Sequence, residues 1–188
     1  MFKAFLTALI MIFLTCYPFI VYIGLTRFNS YLLTVILLTL LIIRLWLSKP
    51  LLAKMPWIKP ASLLGILAIG LSKTMGSDFG IRLYPVIVNT VMFFVFAYSL
   101  YKGPSIIETF ARITEPKLDK RAISYTKNVT KIWCIFFVFN ASIALYTSVF
   151  TALDVWAFYN GFIAYIIMGV LFAVEWLVRK KVKRNAGV

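Results

Sequence analysis

Histidine is missing from the 188 residues, and the only cysteines, Cys16 and Cys134, each sit inside an apolar run. A zinc cluster needs several His or thiolate ligands and a disulfide framework needs spaced cysteine pairs, so neither can organise this chain. No metal and no cofactor is expected. Acids are scarce as well, for Asp78, Glu108, Glu115, Asp119, Asp154 and Glu175 stand against 20 Lys and Arg. They are scattered at or near the ends of apolar runs. Without His, and with the cysteines unpartnered, they compose no evident set of acid, base and nucleophile.

What is abundant is apolar surface. Hydrophobic residues make up 62% of the chain and mean hydropathy is +0.93, which leaves too little polar surface to close a water-soluble globule. The expected fold class is all-α, a polytopic membrane helix bundle forming one transmembrane domain. A net charge of +14 and a pI near 10.0 would suit a nucleic-acid partner if the bases were gathered on one folded face. They lie between apolar runs instead, so the charge reads as membrane topology and no nucleic acid is expected.

Helices of about 20 apolar residues cross the hydrocarbon. That rule places six spans at residues 4–25, 31–48, 57–74, 81–101, 132–153 and 157–178. The third has a short apolar core, Ala61 to Leu71. It spans only if Trp57 and Ile58 enter one interface while Lys73 snorkels at the other; a tilted or re-entrant segment is the alternative. The first run is too long for a signal-peptide core and lacks a small-x-small cleavage site, so it is expected to be retained, with Cys16 an ordinary core residue.

Residues 102–131 set the orientation. There Lys102, Arg112, Lys117, Lys120, Arg121, Lys127 and Lys131 face only Glu108, Glu115 and Asp119. With both termini cytoplasmic, seventeen bases fall inside and only Arg27, Lys73 and Arg82 outside, the asymmetry that the positive-inside rule demands. The same loop carries two helical patterns. After Gly103-Pro104, with Pro suited to a first helical position, Ile106, Ile107, Phe110 and Ile113 share one face while Glu108, Arg112 and Glu115 share the other. That is a short amphipathic helix for the headgroup plane, with Glu108 four residues before Arg112 for a surface pair, and Pro116 ends it. Beyond it Leu118, Ala122, Tyr125, Val129, Trp133, Phe136 and Asn140 form one stripe, with Lys120, Lys127 and Lys131 opposite. The fifth span is therefore expected to start in the cytosol as one continuous helix whose basic face meets water and anionic headgroups.

Two amides lie deep. Asn140 is about 13 Å past Lys131 and Asn89 about 12 Å past Ile81 at the helical rise, so both approach the midplane. An unbonded amide there is costly, and each should face the bundle, as interhelical glue or as part of a polar path. Arg82 and Pro85 fall on the face of Asn89, and a proline break would free a carbonyl nearby, so Arg82, Pro85, Asn89 and Asn140 form a candidate midplane site. Tyr84, Trp156, Tyr159 and Asn160 are outer-side candidates. In the sixth span Ala157, Gly161, Gly169 and Ala173 make a close-packing ridge, and Glu175 and Arg179 are spaced to pair.

In the C-terminal half, Leu83-Tyr84-Pro85-Val86 with Asn89, Ile107-Glu108 with Phe110-Ala111-Arg112, Tyr125-Thr126-Lys127 with Thr130 and Trp133, and Trp156-Ala157-Phe158-Tyr159-Asn160-Gly161 occur in order. On these stretches, covering about half the chain, the protein resembles a family of small bacterial inner-membrane proteins that accompany aryl-polyene and xanthomonadin-type biosynthesis clusters. The resemblance implies a multi-pass inner-membrane location and a pathway in which acyl chains grow on carrier proteins and are delivered to the envelope. It implies no functional residue. Three roles follow: an accessory or transport component handling a lipid-like product, an anchor docking an acidic acyl-carrier or synthase partner on Lys120, Lys127 and Lys131, and an intramembrane transferase. The bilayer itself is the one partner expected under all three.

Overall fold

The computed structural model describes residues 16–27, 30–47, 58–74 and 77–185; Lys3, most of the first expected span, Lys49, Lys54 and Trp57 lie outside them. Among the described residues all regular structure is helical: α1 (Tyr17–Arg27), α2 (Ser30–Leu47), α3 (Ile58–Thr74), α4 (Phe79–Arg82), α5 (Tyr84–Tyr101), α6 (Ile106–Thr114), α7 (Lys120–Phe150), α8 (Leu153–Phe158) and α9 (Ala164–Asn185), with a π-turn at Tyr159–Ile163 joining the last two. Three stretches, Tyr84–Tyr101, Lys120–Phe150 and Leu153–Lys180, are long and apolar enough to cross a membrane. The protein is thus a membrane protein by length and composition of its helices, as its hydropathy requires.

The centre is an antiparallel pair. Arg82 meets Thr147, Asn89 meets Asn140 and Phe96 packs on Phe137, so α5 and α7 run in opposite directions along their length. The chain returns through α8 and α9, where Asn160 meets Thr147 and Trp133 packs on Phe172. One end of the bundle therefore holds the basic segment and Arg179, and the far end holds Arg82 and Leu153. In Lys120–Phe150 39% of the apolar window is buried against protein, but in Leu153–Lys180 only 6% is, which places α9 at the rim with most of its surface to lipid. Two cores fill the interior. Toward the far end Tyr17, Leu37, Ile69, Tyr84 and Trp156 join α1 to α5 and α8; toward the basic end Phe96, Val129, Trp133, Phe136 and Phe137 close α5 on α7.

Local chemistry explains the junctions. Pro85 has no N–H to offer the carbonyl of Ile81, so the helix breaks at Leu83 and the Tyr17 hydroxyl donates to that carbonyl at 2.5 Å. Gly80 lets α4 lie on the α3 backbone, because a β-carbon there would stand 2.0 Å from the Ala68 carbonyl oxygen. Lys73, at the end of α3, pairs with Asp78 at 2.7 Å and donates to Ser30 Oγ. Helix α3 itself is unbroken from Ile58 to Thr74. Asp119 caps α7 by accepting from the Ala122 N–H, and from there the helix runs for 31 residues without interruption.

Four expectations are corrected. Helix α6 starts at Ile106, with Ser105 rather than Pro104 setting its first turn: the Ser105 side chain accepts from the Glu108 N–H. Glu108 does not face water but is buried, whereas Ile106 and Ile107 are only partly buried against the core and Phe110 and Ile113 are exposed, so the two faces of α6 do not divide cleanly into an apolar inside and a charged outside. Cys16 is exposed. The small-residue ridge is packed only at its start, where Ala157 is buried and Gly161 admits the Phe19 ring, for Gly169 has no neighbour within 4 Å and Ala173 is exposed.

Candidate functional site

Polar groups gather at three levels of the bundle. At the far end the Arg82 guanidinium donates through Nη2 to the carbonyls of Thr147 and Thr151, at 2.9 and 2.8 Å. These are acceptors that the end of α7 leaves without helical partners, and a cation there also complements the helix dipole. The carbonyl of Arg82, next to the break, accepts from Ser148 Oγ at 2.9 Å and from the Trp156 indole at 3.1 Å. Arg82 thus joins α4 to α7 and is not part of the Asn89 cluster. Trp156 is fully buried, and Tyr84 is buried against the Tyr17 ring, so neither forms an outer aromatic rim. Asn160, also buried, donates to Thr147 Oγ1 and to the Trp156 carbonyl.

At the middle level Asn140 Nδ2 donates to Asn89 Oδ1 at 3.0 Å, and Asn89 Nδ2 donates to the Pro85 carbonyl at 2.8 Å. The fourth amide atom, Asn140 Oδ1, accepts from the Tyr159 hydroxyl at 2.8 Å. Tyr159 therefore belongs to this level and not to the outer side. The π-turn that begins at Tyr159 adds a residue to one helical turn and re-aims the side chains around it, which no straight-helix wheel anticipates. Every heavy polar atom of both amides has a protein partner, the arrangement of a tie between α5, α7 and the α8–α9 segment.

At the basic end the helices part. A cavity of about 340 Å³ lies between α6, α7 and α9, lined by Ile107, Phe110, Val129, Trp133 and Phe172 and by the polar Glu115, Tyr125, Glu175 and Arg179. That volume falls within the range of about 300–1,000 Å³ typical of small-molecule sites, and an apolar wall with a few convergent polar groups is their usual composition. The Tyr125 hydroxyl donates to the Glu175 carbonyl at 3.1 Å and lies 3.3 Å from Glu175 Oε1. Glu175 and Arg179 approach to 3.5 Å. Glu108 and Arg112 form the tighter pair of α6, at 2.7 and 3.0 Å.

Sequence reasoning paired Glu175 with Arg179 but missed Tyr125, whose place on the inner stripe of α7 was the available signal. Lys120, Lys127 and Lys131 are all exposed on the opposite side of α7. Among the described residues no group of three His, Cys, Asp or Glu is placed to hold a metal ion. Comparison with protein families, with characterised proteins and with solved structures gives no match.

Proposed function

We propose that this is a six-span bacterial inner-membrane protein, both termini cytoplasmic, that takes a lipid-like amphiphile into the cavity between α6, α7 and α9 as an accessory or transport component. The cavity carries the reading: its lining is mostly apolar with a few polar groups, and it lies at the end where the basic residues gather. The asymmetry of Lys and Arg favours that end as the cytoplasmic one. An aryl-polyene-type product, which the family resemblance implies, has the required shape, an elongated apolar body with one polar end. A second reading, docking of an acidic carrier or synthase, rests on the exposed row Lys120, Lys127 and Lys131, which faces away from the cavity and leaves both compatible in one molecule.

Photo-crosslinking tests the reading. A fatty-chain probe with a photoreactive group near its apolar end should label peptides of α6, α7 and α9 around Val129 and Phe172, and Val129→Trp, which fills the cavity, should abolish that labelling. Labelling spread evenly over the lipid-facing helices and unchanged by Val129→Trp would refute it.

A further inference from the structure

The two arginines beside the cavity are held differently. Each nitrogen of the Arg112 guanidinium is engaged: Nε and Nη2 both donate to Glu108 Oε1 and Nη1 donates to the Pro116 carbonyl. Arg179 lines the cavity, yet its contact with Glu175 runs through Nε alone at 3.5 Å, longer than a good charge-assisted hydrogen bond. Its Nη1 and Nη2 donors make no hydrogen bond among the described residues, and the side chain is half exposed. Glu175, by contrast, is mostly buried and is approached by the Tyr125 hydroxyl. Glu175 is thus engaged by the protein while Nη1 and Nη2 of the Arg179 guanidinium are open among the described residues.

Resting on the reading of the cavity as the seat of an apolar chain, we propose that its ligand is a single-chain anionic amphiphile whose carboxylate or phosphate head is held by the Arg179 guanidinium. The planar fork of Nη1 and Nη2 matches two oxygens of either anion. Glu115 and Glu175 line the cavity beside Arg179, so the choice of an anion rests on the open edge of this one guanidinium and not on the sum of the charges around it. A cationic or a neutral head would leave the fork to water. One chain is the natural occupant, since about 340 Å³ lies at the small end of ligand sites.

The test uses the full chain in a neutral detergent and four ligands with one tail: hexadecanoate, hexadecyl phosphate, hexadecanol and hexadecyltrimethylammonium, with binding read by native mass spectrometry and titration. Both anions should bind at least about tenfold more tightly than the alcohol or the ammonium. Arg179→Gln should erase that difference with the helical content and melting temperature retained, and Arg179→Lys should keep part of it. Equal binding of all four would overturn the head-group assignment while leaving the cavity reading intact, whereas binding of none would remove both. An anion preference that survives in Arg179→Gln would take the role away from Arg179. In nanodiscs, hexadecanoate should compete equally well in phosphatidylcholine and phosphatidylglycerol bilayers; loss of binding only in phosphatidylglycerol would make an ordinary two-chain anionic lipid the occupant and overturn the single-chain assignment.

Discussion

Asn140 is the residue on which the middle of the bundle turns, because it takes part in two of the three hydrogen bonds there and Asn89 in the other. Interhelical hydrogen bonds in membranes average about 0.6 kcal/mol and reach about 1.7. Asn140→Leu breaks two and should cost roughly 1 to 2 kcal/mol, Asn89→Leu should cost similarly, and the double variant should cost less than the sum because the Asn89–Asn140 bond is counted in both. Unfolding in mixed micelles measures this cycle; strictly additive losses would show that the bond contributes nothing. That the two amides stand level with each other was legible from helical rise alone. Tyr159 was not, because its aim depends on a π-turn, and a one-residue insertion in the backbone hydrogen-bond pattern leaves no periodicity in Tyr159-Asn160-Gly161 to read.

Among elements, α6 and α7 could be read with near-correct ends, since a cap, a proline and an apolar period of 3.6 are local signals. Their inward faces were harder: Glu108 is buried although it stands on the charged side of α6, because Arg112 one turn later neutralises it there. The cavity was invisible for a different reason, as it depends on how far α9 leans from α7, and that is decided by contacts 50 residues apart such as Tyr125 with Glu175. Tyr125→Phe removes the donor of this contact and should cost about 0.6 to 1.7 kcal/mol of stability in mixed micelles, and an unchanged stability would contradict the contact.

At the scale of the whole molecule, hydrogen bonds tie the bundle at its far end and its middle, and the helices part at its basic end. Arg82, Trp156 and Asn160 tie the far end, where a more open cleft of about 420 Å³ lies beside Arg82 and Leu153, the two amides and Tyr159 tie the middle, and the mostly apolar cavity of about 340 Å³ lies between α6, α7 and α9. A molecule that enters there lies against Trp133, whose ring packs tilted on Phe172 at 4.6 Å and forms part of the cavity wall. Quenching of tryptophan emission by a chain brominated near its apolar end, read in the natural protein and in Trp133→Phe, is the most direct measurement of that occupancy. The expected result is a saturable quenching component in the natural protein that disappears in Trp133→Phe; quenching that grows without saturation, and equally in both proteins, would mean that the chain merely surrounds the bundle and does not enter it.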